Sequence, residues 1–269
     1  MSPNFHNPPV VERVIGIQFE ELPFFTNAHA GWFWKSFLKD SAWSHLSTAP
    51  PIINKFEQFG EKKFSASPAP FQISTAPPPE RSQIVRESDD MMIQFQNSRF
   101  LLNWRRKNDQ QYPDFEDLLD EFGNHFKVFQ KFVGEAGGST PKINQWEVTY
   151  VNHIPKDGIW SNASDWLTLF PGFSLPSYGE DSMTLETIGA NWSLNLPNQA
   201  GRLHISLKHA IATTPKKGEI IVLELTARGP ATDFESFKQG LDLGHDAIVN
   251  TFANITSIDA HKVWGRNEK

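Results

Sequence analysis

Glu147 and His153 could each serve in general acid/base roles, and both lie in the segment Trp146-Glu147-Val148-Thr149-Tyr150-Val151-Asn152-His153-Ile154. The segment alternates as a strand does, with Glu147, Thr149, Val151 and His153 on one face and Tyr150 and Asn152 on the other. Six residues of strand separate the carboxylate from the imidazole by roughly 20 Å, too far for a dyad. Each would need a partner from another strand, such as Glu186 or Glu224. In the plainer alternative, Glu147 and Glu224 face solvent or pair with Arg99 or Arg105. Asn152 and His153 end an otherwise apolar strand just before Pro155, where irregular connections converge, and so mark a candidate pocket.

Trp104-Arg105-Arg106-Lys107 is the compact basic cluster of the chain, with Arg99 at the start of the same strand. A guanidinium beside an indole can bind phosphate or stack on a base. The alternative is an exposed strand end whose charges answer Asp114, Glu116 and Asp117. A net charge of −6 provides no general attraction for phosphate backbones, which argues against nucleic acid as the partner. His204 and His209 are five apart on a strand and face opposite sides, while most of a helix separates His245 from His261, so no metal site is expected. The absence of cysteine excludes thiolate nucleophiles, disulfides and Cys-ligated zinc. Phosphate loop, dinucleotide fingerprint, zincin helix and lipase elbow are all missing, so no cofactor is implied.

The elements that position these residues follow from periodicity. Val10 to Glu20 alternates and predicts a first strand with one wet face. Thr26 or Asn27 caps a helix carrying Ala28, Trp32, Phe33 and Phe37, which ends within Asp40 to Ser44. From Ser47 to Pro79 prolines preclude regular structure, and the expectation is a long wrap held to the surface by Ile52, Ile53, Phe56, Phe59 and Phe71. Ile84 to Arg86 leads into a hairpin, Met91 to Gln96 and Arg99 to Arg106, turning at Asn97-Ser98. Asp114 caps a helix through Val133 that stops at Gly137-Gly138. The strand at 146–154 follows, then another Pro/Gly-rich connection to Asp181. Leu185 to Leu196, Arg202 to Ile211 and Glu219 to Ala227 predict a meander, and Asp233 caps a last long helix through Ile255. Trp264 is expected to dock the C-terminal tail against the sheet.

The two long helices begin alike, Asp114-Phe115-Glu116 and Asp233-Phe234-Glu235, with His125 and His245 about three turns on. The expected fold is therefore α+β: two antiparallel sheets, or one large curved sheet, in two halves, 1–155 and 156–269, each with a long helix. Either a diverged internal duplication or the ordinary look of any Asp-capped amphipathic helix accounts for the likeness. Hydrophobic residues at 39%, with 22 Phe and 9 Trp in 269, are enough to bury a core. Met1 to His6 has neither the basic nor the apolar part of a secretory signal, and no apolar run approaches about 20 residues, so a soluble cytoplasmic protein without membrane contact is expected.

Four ordered stretches carry a resemblance: Asn7-Pro8-Pro9-Val10-Val11-Glu12 with Gly16-Ile17-Gln18-Phe19; Gln94-Phe95-Gln96 with Arg99-Phe100-Leu101-Leu102-Asn103-Trp104-Arg105; Glu147 to Ile154; and His261-Lys262-Val263-Trp264-Gly265-Arg266. Together they resemble the hallmarks of a sporadically distributed, uncharacterised prokaryotic family of similar length. The resemblance implies a prokaryotic cytosolic protein and carries no catalytic assignment. The expected function is a non-enzymatic binding or regulatory module for a protein partner or small ligand, with Trp32, Trp34, Trp43, Trp160 and Trp166 as contact rings. The alternatives are a metal-independent enzyme acting on a nucleotide or small ligand between the halves, using His153, Asn152, Glu147 and Arg105, and nucleic-acid binding through Arg99, Arg105, Arg106 and Lys107.

Overall fold

A computed structural model describes residues 3–38, 42–60, 80–107, 112–156, 158–174, 185–213 and 217–267. In chain order its elements are β1 (Val10–Phe19), α1 (Asn27–Phe37), β2 (Trp43–Ala49), β3 (Arg81–Arg86), β4 (Met91–Gln96), β5 (Arg99–Arg105) and α2 (Phe115–Glu135). There follow β6 (Ile143–Pro155), the single turn α3 (Trp166–Leu169), β7 (Gly189–Asn195), β8 (Arg202–Ala212), β9 (Gly218–Pro230), α4 (Phe234–Ile255) and α5 (Ile258–Val263).

The strands form one antiparallel sheet of nine, ordered β2-β3-β4-β5-β1-β6-β9-β8-β7. This corrects the expectation of two sheets. β1 ladders with β5 on one side and β6 on the other, Gly16 standing opposite both Leu101 and Glu147. The edge that would have divided the halves is thereby paired, leaving no unsatisfied row of backbone groups at the centre. The two halves nonetheless run in a similar, not identical, order. β1, a helical connection and a four-strand meander bring β5 back beside β1, with α2 following; β6, a short helical connection and, among the described residues, a three-strand meander bring β9 back beside β6, with α4 following.

β2 was expected to be part helix end and part irregular chain. It is an edge strand paired to β3 over Trp43–Ala49, and only Trp43 of it is buried. An edge strand with solvent on both sides has no apolar alternation to betray it.

One face of the sheet is apolar and carries the long helices. The buried positions Phe115, Leu118, Leu119, Phe122, Phe126, Phe129, Phe132 and Val133 of α2 recur every three or four residues, so one stripe meets the sheet. Its phenylalanines pack on Phe100 of β5 and Phe19 of β1, and Phe122 lies on Phe237 of α4 with ring centroids 5.4 Å apart. Gly137, in the left-handed region at φ +83°, ends α2, and the next amide, of Gly138, returns to the Val133 carbonyl at 2.9 Å. α4 starts at Asp233, whose carboxylate accepts from the Ser236 amide at 2.8 Å. Trp146, 1% exposed on β6, keys α4 to the sheet. A Cβ placed on Gly201, Gly229, Gly240 or Gly244 would lie 2.3–2.8 Å from its ring atoms. Among the described residues no helix is long and apolar enough to cross a membrane.

Candidate functional site

The sheet face under α2 and α4 contains one charged side chain at its centre. Arg13 sits opposite Tyr150 in the β1–β6 ladder, pointing the same way as Ile15, Ile17 and Phe19, and is 1% exposed. Its guanidinium lies 3.5 Å from the Tyr112 ring centroid and 4.8 Å from that of Tyr150, and Nη1 donates to the Pro113 carbonyl at 2.7 Å. Among the described residues no carboxylate pairs with it, which is uncommon for a buried charge. The Tyr150 hydroxyl is hydrogen-bonded to His245 Nδ1 at 2.7 Å, and the imidazole stacks on Phe115, 4.2 Å away at 6°. Burial first, and the Arg13 charge second, push His245 down to about 4, while burial pushes the Tyr150 phenol well up. Both are therefore neutral near pH 7.

Asn152 is two residues beyond Tyr150 on the same strand face, about 7 Å along it. Its Nδ2 donates to the Leu223 carbonyl at 3.0 Å, and its Oδ1 is buried without a partner. These groups line a cavity of about 230 Å³ together with Val10, Leu225, Ile248 and Phe252. The N-terminal arm closes one wall. Phe5 meets Phe252 edge-on at 5.4 Å, and the His6 and Asn7 amides donate to Gly265 and Trp264 carbonyls at 2.9 and 3.0 Å. Trp264 does anchor the tail, but its ring lies against Phe252 of α4 and Phe5 of the arm. Arg106 stands beside this corner, Nη1 donating to Asn7 Oδ1 at 3.3 Å.

The opposite face of the sheet is polar and carries a second constellation. Arg99, 2% exposed, donates to Gln18 Oε1 at 2.5 Å and reaches Glu147 at 3.5 Å; Arg228 reaches the same carboxylate at 3.5 Å. Residues 52–58 lie along this face as a strap. Gln96 bonds both backbone groups of Ile52 at 2.9 Å, and Gln145 Nε2 donates to the Lys55 carbonyl at 2.8 Å. Glu57 ends the strap among Arg228 at 2.5 Å, His204 at 2.7 Å and Arg202. Burial alone would raise its carboxyl; the bonds from His204 and Arg228 overcome that and bring it down to about 2. The expected wrap is thus present over its described part, but polar side chains hold it. Ile53 and Phe56 are 78% and 57% exposed, and Phe71 lies outside the described residues.

The residues singled out in sequence do not converge on one place. Glu147 and Arg99 come together on the strapped face. Asn152 lines the cavity on the other face, so adjacent Asn152 and His153 cannot serve one pocket. His153 is half-buried, and burial lowers its pKa; its amide donates to the Pro9 carbonyl at 2.9 Å, and its ring has no hydrogen bond among the described residues. Neither Glu186 nor Glu224 bonds to Glu147 or His153 there. Trp104 is buried, edge-on to Tyr112. Arg105 pairs with Asp89 at 2.7 Å, and Lys107 pairs with the other oxygen of the same carboxylate, so that basic cluster is answered by a different carboxylate from those expected. Trp43, Trp160 and Trp166, expected as contact rings, are 5%, 2% and 1% exposed and belong to the core; Trp32 is 40% exposed. Arg13, Tyr112 and His245 complete the cavity and were not among the expected site residues.

No family model matches the chain, and no curated protein is significantly similar to it.

His245 makes the cavity acid-sensitive. Its folded pKa lies below the ordinary 6.5, so the unfolded chain takes up the proton first. The stability tied to neutral His245 is present above pH 6.5 and is lost as pH falls toward 4, on the order of 2–3 kcal/mol. His245→Gln keeps a neutral hydrogen-bonding group beside Tyr150 and should flatten urea-unfolding free energies between pH 7 and 4.5. An unchanged slope in the variant would assign the loss to other groups.

Proposed function

We propose that this chain is a non-enzymatic binding module of a prokaryotic cytosolic system, and that its ligand is a small organic anion held in the cavity between β1, β6, α2 and α4. The observation that carries this reading is Arg13, a desolvated cation lining a cavity of mixed polar and apolar walls, with two aromatic faces and a carbonyl for company. A charge kept out of water at that cost is best accounted for by a ligand that supplies its counter-charge. Binding is favoured over turnover because His245, with its pKa near 4 and its Nδ1 engaged by Tyr150, is a weak base at neutral pH. Nucleic-acid binding loses support because Arg105 and Lys107 are answered by Asp89 and Arg99 is buried. The similar order of elements supports a diverged duplication, with the cavity astride the β1–β6 junction of the two units.

Thermal unfolding tests the reading. At millimolar concentration 3-phenylpropanoate or 4-methylpentanoate should raise the melting temperature, because a ligand at 100 times its Kd stabilises by about 2.7 kcal/mol. The corresponding neutral primary amides should not. Val249→Trp, which fills the cavity from α4, should abolish the shift. Equal shifts from acids and amides, or a shift that survives in Val249→Trp, would overturn the proposal.

A further inference from the structure

We infer that the ligand is a zwitterion, a free α-amino acid with an apolar side chain. The inference rests on the proposed reading of the cavity and adds a second charged end to it. Arg13 calls for a carboxylate, but Asn152 Oδ1 is a buried acceptor without a donor, and a carboxylate cannot supply one. An ammonium can.

The cavity also has an acid for that ammonium. Asp114 lines it and occupies the N-cap position of α2, yet its carboxylate accepts no capping hydrogen bond. Asp233, in the corresponding place on α4, does accept one from Ser236. Asp114 is solvent-exposed, and its carboxylate is free of the bond with which a cap would ordinarily engage it. With His245 and Tyr150 neutral, the charges lining the cavity are one guanidinium and one carboxylate, which match a molecule of no net charge. A phosphate dianion would face a single guanidinium and the Asp114 carboxylate.

The remaining walls set the side chain and the size. Phe5, Val10, Leu225, Ile248 and Phe252 offer hydrocarbon. About 230 Å³ falls below the roughly 300–1,000 Å³ of sites for drug-sized molecules, which suits a single amino acid better than a peptide or nucleotide.

Isothermal titration calorimetry at pH 7 separates this inference from the reading beneath it. L-Leucine and L-phenylalanine should bind at least tenfold more tightly than 4-methylpentanoate and 3-phenylpropanoate, which lack the ammonium, and than leucinamide, which lacks the carboxylate. Asp114→Asn keeps a good capping residue, so the fold should stand. It should bring amino-acid affinity down to that of the deaminated acids, whose own binding should hold or tighten once the carboxylate that repels them is gone. Deaminated acids binding as tightly as the amino acids would overturn the zwitterion and leave the organic-anion reading in place. Failure of both sets to bind would overturn both.

Discussion

Trp146→Ala should lower the free energy of unfolding by about 3–5 kcal/mol, as truncation of a fully buried large aromatic commonly does. The indole is 1% exposed and stands between β6 and α4, where Gly240 and Gly244 of the helix and Gly201 and Gly229 of the β8 and β9 ends have no side chains so that the ring can fit. Four glycines cannot grow into the space it leaves, so the cavity persists and the penalty falls at the upper part of the range. The converse change is as telling. A Cβ on Gly240 would sit 2.3 Å from the Trp146 ring, and the helix would have to lift from the sheet to admit it. Urea denaturation checks both. A loss below about 1 kcal/mol for Trp146→Ala would mean that α4 is held by other contacts.

Much of this arrangement was legible in sequence because it rests on periodicity. The stripe Phe115 to Val133, the Asp233 cap and the hairpin around Asn97-Ser98 declare themselves through spacing alone, and the structure places them within a few residues of expectation. What escaped is instructive in each case. The pairing of β1 with both β5 and β6 depends on backbone contacts far apart in sequence, so one sheet and two were equally compatible with the strand pattern. The strap at 52–58 runs on backbone carbonyls and amides clasped by Gln96 and Gln145, a device with no hydrophobic signature.

The cavity was half legible. Asn152 was found as half of the polar pair, with His153, that ends an otherwise apolar strand. Arg13 was not singled out, although it is in phase with Ile15, Ile17 and Phe19, which face the core. That parity was a signal. A charge at an apolar position of a central strand must be satisfied by something, and neither sequence neighbour offers a carboxylate in phase with it. His245 was weighed as a metal ligand with His261 and as a repeat of His125, never as a partner of Tyr150, and the two repeats differ in place: His125 bonds Glu121 at 3.2 Å near the sheet margin, His245 bonds Tyr150 at the centre. The basic cluster at 104–107 misled for the opposite reason. Its charges are conspicuous in sequence and are answered locally by Asp89.

The measurement that bears most directly on the cavity is the behaviour of Arg13→Met, read as affinity for 3-phenylpropanoate and as stability in parallel. Methionine fills the space between Tyr112 and Tyr150 without a charge. Losing a desolvated charge–carboxylate contact costs about 2–5 kcal/mol, so binding should fall by roughly 30-fold or more. Stability should hold or rise, because burial of an unpaired ion costs several kcal/mol and the change removes it, offset in part by the Pro113 carbonyl left without its donor. Binding lost while the unliganded protein is as stable as before is the predicted result, and it is the signature of a residue kept for its ligand. Undiminished binding, or a stability loss of about 3 kcal/mol or more, would contradict the account and make Arg13 a structural cation.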